Sequence, residues 1–318
     1  MTDSLRTPQG LAENLAALRH NVGKVFLGKP EVIRLALVAL LADGHLLLED
    51  VPGVGKTLLG KALARSLSCK FTRVQFTPDL LPGDLIGVTI YHDRTGEFAF
   101  QPGPLFTEVL LADEINRATP RTQSALLEAM SERQVTVDGE TRRLGPPFLV
   151  IATQNPHEFE GTYPLPESQL DRFLLRVKVG YPDRGAERAI LTQHRAGEPV
   201  ENLTPVWGPA DVLALQAHTR SVRVDPGVAD YVLDVVAGTR GHPEVVLGAS
   251  TRAALALYRA AQAFAVTAER DYVVPDDVKA LAEAVLAHRL VTRGWTQGGH
   301  GDSGPVVRDI LAKLKVPA

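Results

Sequence analysis

The segment LLLEDVPGVGKTLLGKAL, residues 46–63, constrains this chain more than any other. An apolar run ends at Glu49 and Asp50, a glycine-bearing turn follows, and Gly55-Lys56-Thr57 opens a helical pattern. Strand, tight turn, helix is the order a phosphate-binding loop needs, because backbone N–H groups and a helix N-terminus must converge on one anion. Gly53 and Gly55 fall where the backbone turns and must approach a ligand without a Cβ. Lys56 is placed to neutralise β- and γ-phosphates, and Thr57 to coordinate Mg²⁺. The general pattern G-x-x-x-x-G-K-[ST] is broken at its first position, where Asp50 replaces glycine. Asp50 sits at the strand exit, ahead of the cradle, so its side chain is expected to point away from the phosphates. Taken alone, the motif competes with a glycine-rich turn carrying a chance Lys-Thr.

Three later segments bear on that choice. VLLADEINR (residues 109–117) is an apolar strand ending in Asp113 and Glu114. Two acids at the end of a buried strand are costly without work or partners. Beside a phosphate loop, Asp113 can hold the Mg²⁺ shell and Glu114 can activate water. LVIATQNP (149–156) is a second such strand, after which Asn155 either positions water near a γ-phosphate or caps a turn. In PESQLDRFLL (166–175), Arg172 either reaches a phosphate, of its own chain or a neighbour's, or pairs with Asp171 or Glu167. Arg252 opens a later helix, where a solvated helix end is the plain alternative. Three strand-end motifs in this order favour nucleotide hydrolysis.

Apolar runs at 45–49, 71–76, 109–113, 148–153 and 173–179 alternate with helical patterns, including one from Lys56 and one over 120–131. Continuous apolar runs suit a buried parallel sheet, and the alternation predicts an α/β fold with helices on both faces. Two hairpins are expected to interrupt it: 87–100, around Asp93-Arg94-Thr95-Gly96, and 133–144, around Asp138-Gly139. Beyond residue 180, prolines and glycines mark a connecting region. From 210 onward the periodicity is helical only, over 210–219, 227–239, 251–267, 276–288 and 306–314. The expected division is an α/β nucleotide-binding core at 1–198 and a smaller all-α lid at 199–318, with 295–305 a surface loop.

Composition removes other classes. A net charge of −3 over 318 residues argues against a protein that coats nucleic acid by bulk charge. A single cysteine, Cys69, excludes an intramolecular disulfide. The N-terminus lacks a signal-type apolar run, and the most apolar helical stretch, 32–42, is too short to span a bilayer, so a cytoplasmic location is expected. The nine histidines are scattered, and no protein-only metal site is read from their spacing.

These residues resemble the MoxR family of AAA+ ATPases over nearly the whole chain. The specific segments are RVQFTPDLLPGDLIG (73–87), ADEINRATPRTQSALLEAMSERQVTVDG (112–139) and IATQNPHEFEGTYPLPESQLDRFLLRVKVGYP (151–182). LLLEDVPGVGKT resembles that family's own phosphate loop, including the departure at Asp50. The resemblance implies a ring, usually hexameric, with ATP and Mg²⁺ bound between subunits. It implies nucleotide contacts from Pro52, Gly53, Val54, Gly55, Lys56, Thr57, Leu58 and Asp113, with Thr57 and Asp113 toward Mg²⁺. Glu114 is then the catalytic acid of the Walker B pair, Asn155 sensor 1, Arg172 the arginine finger and Arg252 sensor 2. Arg117, Arg121 and Arg133 are further finger candidates. The two hairpins are expected to face a pore or partner. The family is thought to remodel partner proteins, often with a von Willebrand factor A domain, and to help metal-dependent enzymes mature.

Other functions remain open at this level. A chelatase subunit would use a similar ring for metal insertion, and a helicase-like ATPase would carry similar hairpins. The acids Asp93 and Glu97 in the first hairpin oppose nucleic-acid binding, whereas Arg142 and Arg143 in the second favour it. A non-hydrolysing switch would have little use for Glu114.

Overall fold

The structure is a computed structural model describing residues 8–50, 53–155, 162–193, 197–296 and 303–317. In chain order, helices α1 (Pro8–Gly23) and α2 (Pro30–Leu41) precede strand β1 (Leu46–Glu49). Helix α3 (Lys56–Ser66), strand β2 (Phe71–Gln75) and the short α4 (Pro82–Ile86) lead into the hairpin β3 (Gly87–His92) and β4 (Glu97–Pro102). Next come β5 (Val109–Asp113), α5 (Pro120–Glu132), the hairpin β6 (Gln134–Val137) and β7 (Glu140–Arg143), and β8 (Leu149–Gln154). Then follow α6 (Glu167–Leu170), β9 (Leu175–Val177) and α7 (Arg184–Gln193). The remainder comprises α8 (Pro209–Ser221), α9 (Pro226–Gly241), β10 (Val245–Leu247), α10 (Thr251–Thr267), α11 (Pro275–Leu286), β11 (Val291–Thr292), α12 (Arg293–Thr296) and α13 (Gly304–Lys313).

The five apolar runs form one parallel sheet in the order β2-β5-β8-β1-β9. Alternating side chains feed opposite layers. Leu46, Leu48, Val109, Leu111, Leu149 and Ile151 join a core with α1–α3. Leu47, Leu110, Ala112, Val150 and Ala152 join one with α4, α5 and Phe76. The first of these cores runs without a break into α8–α11, through α2. That explains the unusual apolarity of α2: Val32, Ile33 and every residue from Ala36 to Leu41 are buried. A helix that is apolar nearly all round must be covered nearly all round.

Both hairpins form. In the second, Asp138 and Gly139 take φ of 51° and 80°, the left-handed pair a two-residue turn requires. In the first, Gly87 has φ of 100°, and a Cβ there would lie 2.4 Å from the Gln101 carbonyl oxygen. Two expectations need correction. The connecting region contains a ten-residue helix, α7, none of whose residues is buried. The helical lid also contains an antiparallel pair, β10 with β11, whose strands are too short to show a period of two. The run at 173–179 shortens to the three residues of β9, and 297–302 of the expected surface loop lie outside the described residues.

His45 knits the second layer to the sheet. Its Nε2–H donates to the Met130 carbonyl at 3.1 Å, and its Nδ1 accepts the Val150 N–H at 3.1 Å. Burial, helped by the nearby Arg133 guanidinium, lowers its pKa to about 3. An unfolded histidine binds a proton below about pH 6.5, whereas the folded His45 refuses it. Its contribution to stability is therefore complete above that pH and declines as pH falls toward 3. Between about pH 6.5 and pH 5 the expected loss is about 2 kcal/mol. Urea unfolding of His45→Gln, which keeps a donor and an acceptor, is expected to show an acid-induced loss smaller by that amount than wild type.

Candidate functional site

Helix α3 begins at Gly55, which has φ of 86° and serves as a left-handed N-cap, and no side chain caps it. Gly53 has φ of 85° and open space where a Cβ would stand. Both conformations belong to glycine, and together they leave the α3 N-terminus facing a cleft, as an anion site requires. The Lys56 ammonium donates to the Asp50 carbonyl at 2.8 Å. Asp50 itself accepts the Gly180 N–H, next to β9, and does not line the cleft. The glycine-replacing acid is therefore a clasp between two strand ends.

The cleft has a volume of about 430 Å³. Gly53, Gly55, Lys56, Thr57 and Leu58 line it from the loop and α3, Asp113 and Glu114 from the end of β5, and Asn155 from the end of β8. Val54 is buried beneath the loop, and Pro52 lies outside the described residues. Thr57 and Asp113 offer hydroxyl and carboxylate oxygens, the hard donors that Mg²⁺ takes, within the same cleft as Lys56.

The acids are held by a linked network. The Thr153 hydroxyl donates to Asp113 Oδ1 at 2.6 Å and accepts the Glu114 N–H at 2.8 Å. The other Asp113 oxygen takes Arg73, with Nη2 at 2.6 Å and Nε at 3.2 Å. Glu114 adopts a left-handed backbone, φ 57°, which is uncommon for a residue with a side chain. Its carboxylate accepts the Gln75 amide at 2.6 Å and Arg117 at 3.0 Å. Arg73 also donates to the Gln75 side-chain oxygen at 3.1 Å, so one chain of bonds joins both acids.

Arg172 and Arg252 are absent from the cleft lining. Arg172 donates to the Leu127 carbonyl of α5 at 2.5 Å. Arg252 lies 3.8 Å from Asp171 Oδ2, while Arg289, nearly fully buried, binds Asp171 Oδ1 at 2.7 Å. Arg289 also donates to the carbonyls of Phe173 at 2.6 Å and Val285. Burial lowers the Arg289 pKa, and the Asp171 hydrogen bond opposes that shift. Two lid arginines and the turn carrying Arg172 thus meet on one carboxylate.

Comparison with known proteins accounts for this layout. Residues 45–175 match the ATPase family associated with various cellular activities (AAA), and residues 237–310 match the AAA lid domain. Chaperone MoxR1 of Mycobacterium tuberculosis is 45% identical over 301 residues, covering 89% of this chain and 79% of that protein. The chain belongs to the MoxR family of AAA+ ATPases. Within that family it is also 50% identical to the uncharacterized protein YeaC of Bacillus subtilis, over 95% of this chain and 94% of that one. The solved structure of a presumed ATPase from Cytophaga hutchinsonii aligns with a TM-score of 0.90 at 37% identity, covering 98% of this chain and 97% of that one. A MoxR-type, chaperone-like AAA+ ATPase with a helical lid is what these relatives describe.

Several residues of this MoxR-type cleft escape sequence reading: Arg73, Gln75, Lys61 and Glu198. Arg73 and Gln75 carried a signal. They stand two apart on a strand, hence on one face, and β2 pairs in register with β5. Glu198 carried none, because only the fold brings the connecting region to the cleft. Thr153 is fully buried, and Thr153→Val would strip a partner from the Glu114 N–H and from one Asp113 oxygen. The expected loss is about 2 kcal/mol of unfolding free energy, read as a lower urea midpoint at unchanged slope.

Proposed function

We propose that this MoxR-family chain hydrolyses ATP at interfaces between copies of itself in a ring, usually a hexamer, and uses the cycle to remodel a protein client. One observation carries the reading. The phosphate loop, both acids and Asn155 share a cleft, whereas Arg172 and Arg252 line no part of it: Arg172 is held on the Leu127 carbonyl and Arg252 lies beside Asp171. Arginines placed apart from their own cleft suit the nucleotide of a neighbour.

In this reading the α3 N-terminus and Lys56 hold the phosphates, and Lys56 gives up the Asp50 carbonyl to do so. Thr57 and Asp113 hold Mg²⁺, which when bound supplies charge neutralisation on the phosphates. Glu114 takes a proton from the attacking water once Gln75 and Arg117 release its carboxylate, and Asn155 orients that water. Arg172 and Arg252 supply positive charge to the neighbour's transition state. Arg133 is less suited to that role, since its guanidinium is spent on the Phe148 and Asp43 carbonyls and the Asp43 carboxylate. Arg117 pairs with Glu114 of its own chain, and Arg121 remains an exposed alternative. We take residues 1–198 as the core and 199–318 as the lid, with Arg289 on Asp171 as the contact through which the lid acts on the finger turn.

The hairpins suit a protein client. Tyr91 and Phe98 pack at 5.0 Å between ring centres yet stay exposed, beside Val88 and Ile90. Exposed apolar surface of this kind favours protein contacts. Asp93 and Glu97 at the tip of the first hairpin would repel a phosphodiester backbone. A client with a von Willebrand factor A domain, and a part in maturing a metal-dependent enzyme, rest on the family resemblance. The described residues include no helix long and apolar enough to cross a membrane, and a cytoplasmic location is part of this proposal.

The test is ATP turnover against protein concentration for wild type, Glu114→Gln and Arg172→Ala, alone and mixed. Specific activity is expected to rise with concentration. Each variant alone should lose about a hundredfold or more. Mixing should restore part of the rate, because some interfaces then pair an intact Glu114 with an intact Arg172. Flat specific activity without rescue would remove both the ring and the finger.

A further inference from the structure

We infer that Arg73 is a resident counter-ion for Asp113, occupying the acid in the absence of metal and making nucleotide binding tolerant of metal loss. The inference rests on the reading of Asp113 as the metal-holding acid. Arg73 engages a single oxygen of that carboxylate through two nitrogens, at 2.6 and 3.2 Å. Thr153 takes the other oxygen, so each Asp113 oxygen has a partner from this chain. Asp113 is 13% exposed at its side chain and Arg73 48%, so the acid is fixed in the site while the arginine stands at its open side. A semi-buried acid in a phosphate cleft repels an anionic ligand unless a cation stands beside it.

Two cations cannot share that oxygen without repelling each other. Metal arriving at Asp113 therefore competes with Arg73, whose solvent-facing side chain has room to leave. Arg73 also holds the Gln75 oxygen, while the Gln75 amide holds Glu114. Its departure loosens the restraint on the second acid as the metal seats. Arg73 is thus a positioning residue that acts through Asp113 and Gln75.

Binding of a fluorescent N-methylanthraniloyl ADP tests this, in excess EDTA and in saturating Mg²⁺, with ADP displacement as control. In EDTA, Arg73→Gln is expected to weaken binding about tenfold, because Asp113 then faces the phosphates unneutralised. In saturating Mg²⁺ its affinity should stay within about threefold of wild type, and less Mg²⁺ should be needed for half-saturation. Arg73→Lys, which keeps the charge, should restore metal-free binding and guards against a folding artefact. In an Asp113→Asn background the effect of Arg73→Gln should vanish. Equal losses with and without Mg²⁺ would make Arg73 a direct phosphate ligand and overturn the inference, as would no change under either condition. If Asp113→Asn by itself left the Mg²⁺ dependence intact, the metal reading of Asp113 would fail first, and the inference with it.

Discussion

All five strands of the central sheet run parallel, so their C-terminal ends lie along one edge, and the cleft hangs from that edge. The end of β1 feeds the phosphate loop, β5 ends at Asp113, and Asn155 follows β8. These three strands are adjacent in the order β5-β8-β1 although α3, both hairpins and α5 separate them in the chain. A parallel pair needs a crossover, and a ligand site forms where crossovers leave the same edge. The insertion of β8 between β5 and β1 is what brings the acids to the phosphate loop across a single intervening strand. Asp50 then clasps β1 to Gly180, three residues beyond β9, and fastens the loop from its far side.

The lid is attached to this edge by two kinds of force. The non-directional one is the core that runs through α2 into α8 and α10. The directional one is Arg289, whose buried guanidinium is satisfied by Asp171 and by carbonyls of the turn and of α11. Buried charges persist only when paired, and separation of this pair would be costly. The attachment falls on the residue next to Arg172, so the position of the lid and that of the turn carrying Arg172 are not independent. A continuous apolar core alone would allow sliding; a buried ion pair with carbonyl acceptors fixes register.

The polar network around the acids is built in the opposite sense. The cations that pair with Asp113 and Glu114 are half open to solvent, Arg73 and Arg117 at 48% and 46% side-chain exposure. Exposed ion pairs are weak and exchange readily. The resting arrangement therefore neutralises both acids with cations that are free to exchange, as a site that must accept a multiply charged ligand requires.

Much of this was legible in the residues. The phosphate loop, the strand-end acids, both hairpins and α10 over 251–267 follow from local patterns: a glycine pair, an apolar run with an acidic end, an Asp-Gly turn, a period near 3.6. Such features depend on neighbours within a turn or two. Two elements did not yield to that reasoning. Helix α7 lies in a stretch whose prolines and glycines mark a connection, and the β10–β11 pair joins two- and three-residue strands about forty-five positions apart. The partners of the acids were equally out of reach. Arg73 and Asp113 lie 40 residues apart, and Asp171 and Arg289 lie 118 apart. The sequence by itself determined the fold class, the glycine turn before α3 and the two acids that end β5, because those are short-range consequences of sterics and hydrophobic period. Only the tertiary structure decided which cations neutralise the acids, which backbone group Asp50 holds and how the lid meets the turn carrying Arg172. Ion pairing depends on distance in space, and the spacing of charges along a chain carries no record of it until the core has closed.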